Sequence, residues 1–213
     1  MLLVVGLGNP GREYASHRHN VGFMAVDELH ERLRADPWRE KFSGVWARGA
    51  IGDQSAVLLK PMTYMNESGR SVQAAMAFFK VQPAEVVVVH DELDLPFRAV
   101  RLKFGGGHAG HNGLRSIMAH LGTGDFGRVR MGIGRPPAGF RGEGADFVLS
   151  SFDAAERAPL QDSLRLAVES VLEVAARGFD AAMKVRNTRV KVKKEPTGEG
   201  GNQAEPKPTG DKS

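Results

Sequence analysis

The run Leu2-Leu3-Val4-Val5-Gly6 contains no polar side chain. A strand with one wet face alternates polar and apolar residues. An unbroken apolar run of this length, closed by a turn, reads instead as a strand covered on both faces. The turn is Gly6-Leu7-Gly8-Asn9-Pro10-Gly11, and Val86–His90 repeats the apolar pattern. Between the two runs lie segments of helical period. From Asn20, the residues Val21, Met24, Leu29 and Leu33 recur on one face, widened by Phe23 and Val26. From Asn66, Val72, Ala75, Met76 and Phe79 do the same. Covered strands alternating with amphipathic helices predict a layered α/β domain.

The remaining elements make the sheet mixed. Residues 42–51 and 55–60 read as two strands joined through Gly52-Asp53, a hairpin. Val100–Phe104 and Arg128–Ile133 read as strands; Asn112–Leu121 and Asp153–Arg177 read as helices. Asp36-Pro37 ends the first helix. The expected organisation is a single domain over residues 1–185. A tail over 186–213, rich in Lys, Glu, Pro and Gly, has too few apolar residues to fold and is expected to be disordered.

The net charge of +4 resides in the tail: residues 184–213 hold eight Lys/Arg and four Asp/Glu, leaving 21 of each sign in residues 1–183. Any nucleic-acid binding by the body must therefore come from a local patch. The chain has no cysteine, which excludes disulfides, thiolate catalysis and sulfur-ligated zinc. It has no apolar run long enough to cross a membrane. The apolar N-terminus is too short, and lacks the basic leader, to be a signal peptide. The expected location is the cytoplasm.

The chemistry-bearing residues cluster in loops beside strands, where α/β folds place their sites. The segments are Asn9-Pro10-Gly11, Arg18-His19-Asn20, Tyr64-Met65-Asn66, His90-Asp91-Glu92-Leu93-Asp94, and the glycine-rich Gly105–Gly113. Gly6-x-Gly8-x-x-Gly11 imitates a dinucleotide fingerprint. It is rejected, because a polar stretch follows where the fingerprint needs its third glycine inside the opening helix. There is no Walker A motif and no G-x-S-x-G elbow. Local structure also offers roles for these residues: Asn66 and Asn112 are placed as helix N-caps, and Asn9 as a turn residue. A metal reading exists for His90, Asp91, Asp94, His108 and His111, but it lacks an H-E-x-x-H scaffold.

Read together, VVGLGNPGREY, RHNVGF, LLKPMTYMNESG, HDELDLP, FGGGHAGHNGLRSI and RVRMGIGRP resemble the bacterial-type peptidyl-tRNA hydrolase family, in family order across residues 4–137. The resemblance implies a monomeric domain with a twisted mixed sheet surrounded by helices. It implies hydrolysis of the ester joining a peptide to the 3′ end of tRNA, with no cofactor and no metal. By motif position His19 matches the catalytic base and Asp91 its supporting acid. Asn9 matches the residue that tells N-blocked from free aminoacyl-tRNA. Asn66 and Asn112 match substrate-binding asparagines, and Met65 and His111 fall in the same motifs. Tyr14 and Tyr64 match contacts to the acceptor end, and Lys103 and Arg130 match basic positions facing the RNA backbone. Two departures stand out. Phe97-Arg98 follows Asp94-Leu95-Pro96 where the family often has Pro-Gly, and His17 adds a titratable group near the base.

An aminoacyl ester is already activated, so one base and one water suffice. An imidazole titrates near neutrality and suits the task. Asp91 would hold its other nitrogen, and a carboxamide from Asn9 or Asn66 would position the water or donate to the oxyanion. Lys103, Arg128 and Arg130 are expected to form a basic patch, although alternation along a strand sends neighbours to opposite faces. Two rivals remain: an RNA-binding protein of this fold without catalysis, and a metal-assisted hydrolase.

Overall fold

A computed structural model describes residues 1–188. It contains one seven-stranded sheet in the order β2-β3-β4-β1-β5-β7-β6. The strands are β1 (Leu2–Gly6), β2 (Arg39–Lys41), β3 (Gly44–Ile51), β4 (Gln54–Pro61), β5 (Val86–Glu92), β6 (Val100–Phe104) and β7 (Gly127–Gly132). The helices are α1 (Val21–Leu33), α2 (Ser68–Phe79), α3 (Asn112–Leu121), α4 (Gly144–Val148), α5 (Arg157–Arg177) and α6 (Phe179–Thr188). The strands β4, β1, β5 and β7 run parallel, while β2, β3 and β6 add antiparallel edges. The expected mixed α/β sheet is therefore present.

β1 is the spine because both its faces are covered. Leu2 and Val4 point into a core shared with α1 and α5. Leu3 and Val5 point into a second core shared with α2 and α3. Two apolar faces on five residues account for the absence of alternation. From β1 the chain crosses first to the β4 side and later to the β5 side. That reversal opens a crevice at the carboxyl ends of the parallel strands, where such sheets bind ligands.

Helix α1 is seated directly on those strand ends. A β-carbon at Gly22 would stand 2.4 Å from the Val89 carbonyl oxygen and 2.5 Å from the Leu7 nitrogen. Only a residue without a side chain permits this approach. The contact is pinned by Leu7 N–H donating to Val89 O (3.0 Å) and Phe23 N–H donating to Leu7 O (3.1 Å). The second bond satisfies one of the donors that a helix start leaves unpaired.

Several boundaries differ from the sequence expectation, each for a local reason. α1 stops at Leu33 because Arg34 turns left-handed (φ 49°), three residues before Pro37. The segment expected as one strand over 42–51 begins at Gly44, since Phe42 and Ser43 are both left-handed (φ 60° and 50°) and form a tight hairpin turn to the unanticipated β2. Asn66 does not cap α2. It lies in a 3-10 turn, Met65–Glu67, and the helix starts at Ser68. The last long helix begins at Arg157 rather than Asp153. Asp153 and Glu156 instead exchange side-chain-to-backbone bonds of 2.8 and 2.9 Å in a closed turn.

The short α4 has no counterpart in the sequence expectation, and beyond the helix end expected at Arg177 the chain continues into α6. α6 moves the expected tail boundary. Arg186 pairs with Glu169 (3.1 Å) and Glu173 (2.6 Å) on α5. The Asn187 amide accepts from Leu102 N–H (3.0 Å) and donates to Leu102 O (2.9 Å), covering the outer edge of β6. Residues 186–188 are thus part of the folded domain, and residues 189–213, with Arg189, Lys191, Lys193 and Lys194, lie outside the described residues.

Replacing Gly22 by alanine is expected to destabilise the domain by about 3 kcal/mol or more, because the clash is with backbone that cannot rotate away. The measurement is the urea unfolding midpoint. A midpoint equal to that of the parent would show that α1 can lift off the strand ends without penalty.

Candidate active site

The carboxyl end of β5 presents Asp91, almost fully buried. Its Oδ1 is the meeting point of two imidazoles, His19 Nδ1 at 2.8 Å and His111 Nε2 at 3.0 Å. His19 comes from a 3-10 turn (Arg18–Asn20) that leads into α1; His111 immediately precedes α3. Three segments far apart in sequence therefore converge on one carboxylate oxygen.

The hydrogen bonds fix the proton positions. His111 Nδ1 accepts from the backbone N–H of Gly113 (3.1 Å) and Leu114 (3.3 Å), so it bears no hydrogen. The ring's proton is then on Nε2, which donates to Asp91. His111 is the N-cap of α3, the place expected for Asn112, which is the helix's first residue. His19 donates from Nδ1 to Asp91. Its Nε2 keeps a lone pair, has no hydrogen-bond partner among the described residues, and belongs to a side chain lining the cleft.

Burial pushes the His19 pKa down, but the charge of Asp91 and its hydrogen bond outweigh that push and raise it above the ordinary 6.5. Burial likewise pushes Asp91 up, and the two imidazoles prevail, holding it well below the usual carboxylate range. Asp91 is thus an anion across the physiological range. His90, on the other face of β5, is depressed to about 3, first by burial and then by His111. It donates from Nδ1 to the Asp91 carbonyl (2.7 Å), while its buried Nε2 has no partner among the described residues. Its ring lies 5.0 Å from that of His111. His90 remains neutral and serves as packing behind the pair.

A cleft of about 280 Å³ opens over His19, Asp91, His111 and Asn112. Leu93, Ala145 and Val148 give it an apolar wall, and Glu92, Asp94 and His108 line its rim. His19, Asp91 and His111 offer ligand atoms within 4.8 Å of one another, a different set from the metal reading of the sequence. Their donor and acceptor roles are already matched: His19 and His111 both direct N–H groups at the same carboxylate oxygen. The arrangement is that of an acid–base pair rather than of three lone pairs facing one point.

Beside the cleft stands a second group. Asn9 Oδ1 accepts from Met65 N–H (2.8 Å). Asn20 Oδ1 accepts from Asn9 N–H (3.0 Å), and Asn20 Nδ2 donates to Asn9 O (2.9 Å). Gly113 joins the two groups, since a β-carbon there would meet Met65 Sδ at 2.6 Å and the His111 ring at 3.1 Å. Asn66 and Tyr64 are exposed, Tyr64 to 63%. Tyr14 is half-buried, edge-on to His17 at 5.4 Å. The side chains of Tyr14, Tyr64 and Asn66 do not line the cleft over His19.

The basic residues divide. Lys103 is exposed, with its side chain lying along Gly106. Arg130 is partly exposed and pairs with Glu92 at 2.9 Å. Arg128 does not belong to a surface patch. It is 2% exposed, lies over the Phe126 ring, and donates to the carbonyl oxygens of Gly106 and Gly107, tying down the glycine-rich loop. Burial lowers its pKa.

Sequence reasoning gave no role to Arg18 or Asn20. Arg18 is buried, bonded by both oxygens of Glu156 (2.7 and 2.6 Å) and by Ser150 Oγ (3.0 Å), and stacked on Phe147 and Phe152. It ties the turn that carries His19 to the segment following α4, the helix that walls the cleft. A charged residue next to a histidine in a polar segment carries no local sign that its partner lies 138 residues away.

Residues 3–195 match the family model described as peptidyl-tRNA hydrolase. A Sorangium cellulosum peptidyl-tRNA hydrolase is 74% identical over 208 residues, covering 98% of this chain and 93% of its own. One from Bradyrhizobium diazoefficiens is 53% identical, covering 85% and 88%. The crystal structure of peptidyl-tRNA hydrolase from Acinetobacter baumannii superposes with a TM-score of 0.81 at 39% identity, covering 88% of this chain and 94% of that one.

Removing Asp91's charge leaves burial as the dominant influence on His19. The Asp91→Asn variant is therefore expected to titrate His19 below 6.5, where the parent titrates above it. Ring-proton NMR across pH 4–9 reads both. An unchanged His19 midpoint in the variant would mean that Asp91 does not set its basicity.

Proposed function

The chain belongs to the peptidyl-tRNA hydrolase family and hydrolyses peptidyl-tRNA, and from that premise we propose that His19 removes a proton from the attacking water while Asp91 supports it. One observation carries this reading: His19 has Nδ1 committed to a buried carboxylate and Nε2 unpartnered among the described residues at the cleft. In that tautomer Nε2 accepts a proton from water, and the imidazolium that forms is stabilised by the anion already in contact with it. No covalent nucleophile is required. The His111 bond to the same Asp91 oxygen helps to hold the carboxylate in place as His19 gains charge.

Asn9 sets the substrate requirement in this reading. Met65 N–H bonds its oxygen and so sets the amide orientation, leaving Nδ2, a donor, without a partner among the described residues. The carbonyl of a peptide or N-acetyl group accepts from it. A free α-ammonium has no acceptor to offer and is refused. Asn112, whose Oδ1 accepts from Arg115 (2.6 Å), likewise has only Nδ2 to donate at the cleft. Asn66, Tyr14 and Tyr64 border the path of the acceptor end, with Met65 holding the shape between them. Lys103 and Arg130 face the RNA backbone.

The unit of function is the domain over residues 1–188, working as a monomer in the cytoplasm, where translation leaves its substrate. No helix among the described residues is long and apolar enough to cross a membrane.

The assay is release of free tRNA from N-acetyl-aminoacyl-tRNA. His19→Ala is expected to lower kcat by about 10²–10⁴-fold, the contribution of a positioned base. EDTA is expected to leave turnover unchanged, and loss of activity on chelation would replace the water-and-histidine scheme with a metal-assisted one. Only unprotonated His19 is a base, and its pKa is raised. The kcat/KM of the parent is therefore expected to climb through an acid limb centred above pH 6.5 and then level off. For the RNA contact, Lys103→Ala and Arg130→Ala are each expected to flatten the dependence of tRNA affinity on salt, by roughly one unit of log–log slope. Unaltered slopes would remove both residues from the RNA surface.

A further inference from the structure

Asn20 stands at the N-cap of α1, a position where asparagine ordinarily turns its side chain onto the helix's own first N–H groups. Here it makes no such bond. The Phe23 N–H that it would have capped is taken by the Leu7 carbonyl instead. The Asn20 amide is 2% exposed and is spent entirely on another loop: Oδ1 accepts from Asn9 N–H at 3.0 Å, and Nδ2 donates to Asn9 O at 2.9 Å. Asn9 sits between Gly8 and Pro10, beyond the end of β1. Its backbone N–H and C=O have no other partner among the described residues. One buried carboxamide therefore holds both backbone polar groups of Asn9, the residue read above as the selector of the substrate.

We infer that Asn20 is a positioning residue for substrate discrimination: it fixes the Asn9 backbone so that the Asn9 side chain can present only its Nδ2 donor. The inference rests on the reading of Asn9 given above. Three bonds define the Asn9 orientation. The two from Asn20 set the backbone plane, and Met65 N–H, at 2.8 Å from Oδ1, sets the amide plane. With the backbone free to rotate, the bond to Met65 no longer dictates which way Nδ2 points. An amide able to turn offers its oxygen to an α-ammonium as readily as its N–H to a carbonyl, and the distinction between blocked and free amino groups is lost. Asn20 follows His19 directly, so the turn that delivers the base also delivers the residue that aims the selector.

The experiment compares kcat/KM for N-acetyl-aminoacyl-tRNA with that for free aminoacyl-tRNA in four proteins: the parent, Asn9→Ala, Asn20→Ala and the double variant. The expected result is a fall of about tenfold or more in the ratio for Asn9→Ala and for Asn20→Ala. In the Asn9→Ala background, removing Asn20 should change the ratio less than about twofold, since residues acting through one group are not additive. The acid limb for the N-acetyl substrate should stay where the parent has it, because His19 and Asp91 are untouched. If Asn20→Ala slows both substrates equally and leaves the ratio intact, Asn20 is structural and the inference fails. If Asn20→Ala still lowers the ratio after Asn9 is gone, it acts by another route, and the inference fails as well. Full discrimination by Asn9→Ala would overturn the reading of Asn9 itself. Should Asn20→Ala not fold, Asn20→Ser leaves a smaller void and a local hydroxyl that cannot bridge both backbone groups, and the same ratio is read on it.

Discussion

The close approach of α1 to the ends of β1 and β5 is the constraint on which the site depends. Gly22 lies against Leu7 and Val89 at once, closer than any side chain allows. The two residues just before the helix therefore straddle the gap between the strands. His19 reaches the β5 side and bonds Asp91. Asn20 reaches the β1 side and bonds Asn9. A helix lifted by the thickness of one methyl group would lose both contacts, because hydrogen bonds weaken steeply beyond their normal range.

The electrostatics follow from a single anion with two donors. Burying a carboxylate is costly unless it is fully engaged. Asp91 is engaged by His19 and His111, and the consequences for the two rings differ. His111 spends both nitrogens, one on Asp91 and one on the start of α3, and becomes a fixed strut. His19 spends only one, so the basicity conferred by Asp91 appears at its free nitrogen. For His90, burial and the neighbouring His111 outweigh the opposing pull of Asp91, and the ring stays neutral. Three histidines within a few ångströms thus acquire three different characters from their partners, with no difference in intrinsic chemistry.

Two arginines show how poorly charge alone forecasts an RNA surface. Arg128 and Arg130 are two apart on β7, and both point to the same side of the sheet. Arg128 lies under the glycine-rich loop and satisfies carbonyl oxygens that the loop's own backbone leaves unpaired. Arg130 sits one strand position beyond the loop and retains an exposed edge. Arg18 is a third case, a buried cation neutralised by Glu156 and stacked on two phenylalanines. What separates them is burial: Arg18 and Arg128 are enclosed by their partners, whereas Arg130, paired with Glu92, keeps part of its side chain exposed.

Much of the architecture is written locally. The apolar runs of β1 and β5, the helical periods of α1 to α3 and the Gly52-Asp53 hairpin need only their own residues, because burial and period are properties of neighbours. The ordered motifs likewise identified the family and brought His19, Asp91 and Asn9 forward as candidates. Local pattern did not reveal the short α4, the edge-covering α6 or the left-handed Phe42-Ser43 turn, since each is stabilised by residues distant in sequence. Nor did it reveal that His111 rather than Asn112 caps α3, or that Asn66 stands free of α2. The tautomers of His19 and His111, and the diversion of Asn20 from its helix to Asn9, were decided only by the tertiary structure. A hydrogen bond is a relation between two groups in space, and the chain order of Asn9, His19, Asn20, Asp91 and His111 carries no information about which of their atoms will meet.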